Sequence, residues 1–209
     1  MTEKNRKPLL VIEGGSGSGK TTAINGIKGH LEGWKFFREP GGTDYGELLR
    51  TAVQETHGIE IDPMAAFLTY SASRANLVNT EVLPILEGLK QGKGVLLDRY
   101  WFSSYAYQSS EKVDKAIIVA VSKIATKGVM PDLVLHYDLT PELALVRKAN
   151  CTDKDRYDMK ELDFHARVRD AYLELSVMYP DFWRVIDVSQ SKEKVLEDSL
   201  ALLREFGMI

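Results

Sequence analysis

The residues with the most legible chemistry are Gly14-Gly15-Ser16-Gly17-Ser18-Gly19-Lys20-Thr21, followed by Thr22, a run that fits the phosphate-binding pattern G-x-x-x-x-G-K-S/T. Its glycines let the backbone turn where a side chain would clash, so that successive N–H groups converge on phosphate oxygens. Lys20 adds a mobile positive charge, and Thr21 a hydroxyl suited to a magnesium ion that bridges two phosphates. Such a loop needs a strand before it and a helix after it. The apolar run at residues 8–13 predicts a buried parallel strand, and residues 21–31 predict a helix, with Ile24, Ile27, Lys28 and Leu31 spaced by three and four. That helix points its positive dipole end at the same anion.

Further clusters follow along the chain. Arg38-Glu39-Pro40-Gly41-Gly42-Thr43 reads as a corner that frees backbone N–H groups at the carboxyl edge of a sheet, where open α/β folds bind ligands. Its Glu39-Pro40 bond is a candidate for the cis form. Tyr70 and Arg74, four apart, share a helix face and can converge on one ligand, although such a pair taken alone is more often a packed tyrosine under a solvated arginine. Asp98 ends an apolar strand and is placed to hold magnesium or its water. Arg99-Tyr100 comes next, and residues 101–108 are dense in aromatic and hydroxyl groups suited to gripping a base and a sugar. The polar residues 150–158 read as a mobile loop able to close as a lid and exclude water, or else as a solvated turn. His136 alternates with apolar neighbours in a strand and reads as a packed histidine rather than a catalytic one.

The elements that must carry these groups alternate. Strands are expected at residues 34–38, 95–98, 132–138 and 184–188 besides the first, with helices at 44–53, 63–77, 112–126, 141–148, 162–179 and 191–206. In the second helix Tyr45, Leu48, Leu49 and Val53 form the expected inner face, with Arg50 near its edge. Asp62 is the expected cap of the third, and Pro84 is expected to kink or restart it. Five apolar strands alternating with helices imply one α/β domain: an open parallel five-stranded sheet covered by helices on both faces.

Composition narrows the partners. The chain of 209 residues is 44% hydrophobic and 27% charged, ordinary values for one globular domain, residues 1–209. A net charge of −3 gives no general attraction to nucleic acid or to an anionic membrane, so a small anionic ligand is expected. The single cysteine, Cys151, cannot form an internal disulfide, and residues 1–7 lack the character of a signal peptide; both fit a cytoplasmic protein.

Glu13-Gly14 through Thr22, REPGGT at 38–43, Asp98-Arg99-Tyr100, Ser103-Ser104-Tyr105-Ala106-Tyr107-Gln108 and Pro131-Asp132-Leu133 resemble, in order and spacing, the thymidylate kinase family of P-loop nucleoside monophosphate kinases. The resemblance runs from about Leu9 to Leu203 and includes a short lid, about residues 149–160. It implies transfer of the γ-phosphoryl of ATP to dTMP, with magnesium, in a homodimer. It implies that Gly14, Gly15, Ser16, Gly17, Ser18, Gly19, Lys20, Thr21 and Thr22 cradle the donor, with Thr21 and Asp98 toward the metal. Arg50 and Arg99 are then expected on the acceptor phosphate, Tyr70 stacked on thymine, Arg74 on the base edge, and Tyr107 against the sugar's 2′ position. Glu39, Pro40, Ser103, Ser104 and Gln108 complete that acceptor site. Arg156 is expected to swing in with the lid, joining Lys20, Asp98 and Arg99 as catalytic groups.

The chain departs from the family pattern at four positions. Ser16 stands where an acid is usual, Tyr70 where phenylalanine is usual, Asn76 where glutamine is common, and Asp158 in place of a glutamate. A kinase for a related acceptor, such as dUMP or a modified deoxyuridylate, is the alternative these departures leave. A GTPase-like switch is disfavoured because no Asn-Lys-x-Asp string occurs, and a non-catalytic relative because Lys20, Asp98, Arg99 and Arg156 are all retained.

Overall fold

In the computed structural model, which describes residues 6–54, 59–149 and 156–209, the first apolar run is strand β1, Leu9–Gly14, buried along its whole length. It runs into helix α1, Lys20–Lys28, and the chain continues through β2, Lys35–Arg38, and α2, Asp44–Gln54. Helix α3, Pro63–Leu77, is capped by Asp62, whose carboxylate accepts from the amides of Met64 and Ala65. One π turn, Val78–Val82, joins it to the short α4, Leu83–Leu86. Pro84 cannot donate to the helical ladder, and the wider turn just ahead of it absorbs that break, as the expected kink required. The order then runs β3, Val95–Asp98; α5, Trp101–Ser110; α6, Lys115–Ala125; β4, Leu133–Asp138; α7, Pro141–Ala149; α8, Leu162–Met178; β5, Trp183–Asp187; and α9, Lys192–Glu205.

The five strands form one parallel sheet in the order β2-β3-β1-β4-β5. The register pairs Ile12 and Arg38 with Asp98, and Gly14 with Tyr137, so the phosphate loop, Asp98 and Arg38 meet at one carboxyl edge. Alternation along the strands divides the core. Leu9, Val11, Val95 and Leu97 face α3, α5 and α8, whereas Leu10, Ile12, Leu96 and Leu135 face α1 and α9. Among the described residues no helix is long and apolar enough to cross a membrane.

Two expectations are corrected. Tyr45 and Leu48 lie outside the core, at 52% and 70% exposure, and the buried residues of α2 are Gly46 and Val53. A Cβ at Gly46 would come within 2.6 Å of the Gly41 carbonyl, so the helix rolls its glycine toward the Pro-Gly-Gly corner and turns the larger side chains outward. Helix α6 begins three residues later than its amphipathic pattern, at Lys115, because Asp114 caps the amides of Ala116 and Ile117 while Lys112 is left-handed at φ 72.

His136 is packed as expected, 1% exposed, its ring 5.0 Å from that of Tyr172 and 5.7 Å from that of Trp183. Burial, aided by Lys20 and Arg169 and opposed by Asp138, lowers its pKa to about 4. The folded value lies below the unfolded one, so its contribution is present above pH 6.5 and is lost as the pH falls toward 4. That loss amounts to about 3 kcal/mol. His136→Phe is expected to flatten the acid limb of stability, read as urea midpoints between pH 7 and pH 4; an unchanged slope would remove His136 from that role.

Candidate active site

The phosphate loop is built by backbone constraints. Gly14, Gly17 and Gly19 have φ of 148, 73 and 78, and a Cβ at Gly17 would fall 2.7 Å from the Ala144 carbonyl. Gly19 stands at the N-cap of α1 with no side-chain cap, which leaves the first amides of the helix directed at the loop. The Lys20 ammonium donates to the carbonyls of Gly14 and Gly15, both at 2.9 Å, and the Ser18 hydroxyl donates to Gly15. Thr21 and Thr22 are exposed at the start of the helix. Thr21 and Asp98 line one groove together with Arg38 and Gly42. The Oδ1 of Asp98 is buried there with no hydrogen-bond partner among the described residues.

A second hollow, partly open to solvent, lies beside the loop. Every acceptor residue expected from the sequence except Arg50 lines it: Glu39 and Pro40 from the corner after β2, Tyr70 and Arg74 from α3, Arg99 after β3, and Ser103, Ser104, Tyr107 and Gln108 from α5. Arg50 instead donates to the Pro40 carbonyl at 3.1 Å, and the Glu39-Pro40 bond is cis. Residues 101–108 supply so many wall groups because they are helical, which turns Ser103, Ser104, Tyr107 and Gln108 to one side.

At the floor, Arg74 Nε donates to Glu39 Oε2 at 2.6 Å, with both side chains at most 3% exposed. Arg74 Nη2 donates to Ser104 Oγ and the Tyr100 carbonyl, while Nη1, Glu39 Oε1 and Gln108 Oε1 are buried without partners among the described residues. A donor and acceptors left in this way inside a hollow can read the edge of a base. Burial raises the Glu39 carboxyl to about 7, against the lowering pull of Arg74. Arg99, left-handed at φ 72, donates from Nη1 to the Gly14 carbonyl at 3.1 Å, which joins the hollow to the loop. Its guanidinium also lies 5.2 Å from the centre of the Tyr107 ring.

The lid divides in its placement. Residues 150–155, including Cys151, lie outside the described residues. Arg156 is not brought to Lys20, Asp98 or Arg99: its Nη2 meets both oxygens of Glu111, at 3.1 and 3.4 Å. Glu111 and Arg99 flank opposite ends of α5, whose length is about 15 Å. The next residue, Tyr157, takes a hydrogen bond from Gln108 at 2.7 Å and lines the hollow. Asp158 then accepts from Ser16 and pairs with Lys148 at 2.7 Å, so a carboxylate reaches the loop position where the sequence has only a hydroxyl.

Sequence reasoning missed Gln54, Glu111 and the wall role of Tyr157. The acid of Glu111 closing an aromatic helix was a visible signal, whereas nothing local marks Gln54 or Tyr157.

A family model described as thymidylate kinase matches residues 12–199. A thymidylate kinase of Ligilactobacillus salivarius is 35% identical over 206 residues, covering 95% of this chain and 98% of that protein. One from a Thermoanaerobacter species is 36% identical over 205 residues, with the same shares covered. One from Deinococcus radiodurans is 35% identical over 204 residues, covering 95% and 97%.

Proposed function

This chain belongs to the thymidylate kinase family, and we propose that it transfers the γ-phosphoryl group of ATP to the 5′-phosphate of dTMP, giving dTDP for dTTP synthesis in the cytoplasm. The observation that carries this reading is the Arg99 guanidinium. It lines the acceptor hollow and at the same time donates to the carbonyl of Gly14, the first residue of the donor loop.

In this reading the amides from Gly14 to Thr22 cradle the donor phosphates, and Lys20 leaves its two carbonyls to follow the charge that migrates during transfer. The Thr21 hydroxyl and the unpartnered Asp98 oxygen would hold a magnesium ion, which would supply charge neutralisation on the donor phosphates when bound. Arg99 grips the acceptor phosphate and Arg50 leaves the Pro40 carbonyl to join it, Tyr70 stacks on the base, and Arg74 with Gln108 reads its edge. Arg156 leaves Glu111 and neutralises the transferring group while the lid excludes water. The reading extends to a pair of copies, for which the exposed Tyr45, Leu48 and Leu68 offer apolar surface.

An acceptor panel tests the reading. ATP-dependent ADP release is expected to be fastest with dTMP; release driven by dUMP or dGMP but not by dTMP would overturn the acceptor while leaving the reaction class. In the same assay Tyr107→Gly, which opens the wall at the sugar, is expected to raise the ribonucleotide-to-deoxyribonucleotide turnover ratio about tenfold. An unchanged ratio would remove Tyr107 from sugar reading.

A further inference from the structure

Glu13 lies in a strand buried along its whole length, and it is fully buried one residue ahead of the donor loop. A carboxylate there is costly unless its lone pairs are met. Three donors meet them: the Tyr100 amide reaches Oε1 at 2.7 Å, and the hydroxyls of Ser103 and Tyr172 reach Oε2 at 2.7 and 2.8 Å. Both hydroxyls also accept from Arg99 Nη1, at 2.9 and 3.3 Å. A guanidinium only donates and an ionised carboxylate only accepts, so a hydroxyl that bridges the two receives from Arg99 and gives to Glu13. The two hydroxyls also lie 2.9 Å apart, within hydrogen-bond reach of each other, and Nη1 shares its two protons among them and the Gly14 carbonyl.

The same carboxylate acts on the backbone. By holding the Tyr100 amide it helps keep the preceding residue, Arg99, in its left-handed conformation, a costly one for a residue with a Cβ. Backbone and side chain of Arg99 are thus both held from one group.

We propose that Glu13 is a positioning residue for the transfer reaction, orienting Arg99 toward the acceptor phosphate through paired hydroxyl bridges from Ser103 and Tyr172. The inference rests on the reading of Arg99 as an acceptor-phosphate clamp. Burial raises the Glu13 carboxyl, while Arg99 and the three hydrogen bonds favour its charge.

Steady-state kinetics with dTMP varied at saturating ATP test it, on the full chain as wild type, Glu13→Gln, Arg99→Ala and the double variant. Glutamine keeps the size and an oxygen for the Tyr100 amide but loses the charge and one acceptor. Glu13→Gln is expected to raise the acceptor KM about tenfold and to shift the ATP KM by less than about twofold. In the Arg99→Ala background the same change is expected to cost under about twofold, because the group it orients is gone. Equal factors in both backgrounds would show a merely structural role and overturn the inference. If Arg99→Ala leaves the acceptor KM unchanged, the clamp reading fails and the inference falls with it; if Arg99→Ala raises it and Glu13→Gln is additive, only the inference falls. Should Glu13→Gln not fold, Tyr172→Phe removes one bridge and is expected to raise the acceptor KM about threefold in the wild type and not in Arg99→Ala. Any other pattern overturns the inference.

Discussion

Lys20→Ala is expected to lower kcat by about 10³-fold, the scale of removing a preorganised donor from a developing charge. The ammonium lies within 2.9 Å of two loop carbonyls and is the cation closest in sequence to the exposed start of α1. Its loss removes positive charge from the place where negative charge moves. Stability is expected to change little, because Lys20 is only half-buried and the Gly14 and Gly15 carbonyls keep their bonds from Arg99 and Ser18 in its absence. A shift of melting temperature within about 4 °C fits that view. A coupled assay beside a thermal melt checks both parts. Retention of more than about a tenth of wild-type turnover would remove Lys20 from the chemistry.

Arg156→Ala is the second large effect, expected to lower kcat by about 10³-fold or more while raising the acceptor KM far less. The structure gives this prediction its particular form. Arg156 sits against Glu111, with side chains 14% and 6% exposed, and against the Tyr157 ring at 4.9 Å. Burial pulls the Arg156 pKa down, but Tyr157 and Glu111 outweigh it and hold the guanidinium charged. For this charge to meet the transferring group it must give up a largely dry ion pair, so its contribution belongs to the closed state and to kcat. Single-turnover rates at saturating nucleotides separate that from binding. A loss confined to KM would show instead that Arg156 serves the acceptor hollow beside Tyr157.

Much of the site was legible because the groups that build it are written locally. The glycines of the loop answer a backbone requirement, the REPGGT corner a turn requirement, and the spacing of Tyr70 and Arg74 a helical one. The face of α2 was misread for the converse reason. Its apolar spacing is periodic, but the roll of the helix is set by how closely Gly46 can approach Gly41, a contact that periodicity does not describe.

By itself, then, the sequence determined the loop, the five strands, the acids and arginines at their ends, and the family to which they point. Each of these follows from the order of near neighbours along the chain. Only the tertiary structure decided which distant groups complete them. It brought Tyr172 to Glu13 across 159 residues, Asp158 to Ser16 across 142, and Arg156 to Glu111 rather than to the loop. These meetings depend on the strand order and on the packing of α5 and α8 against the sheet, through which residues far apart in the chain come to share one buried volume.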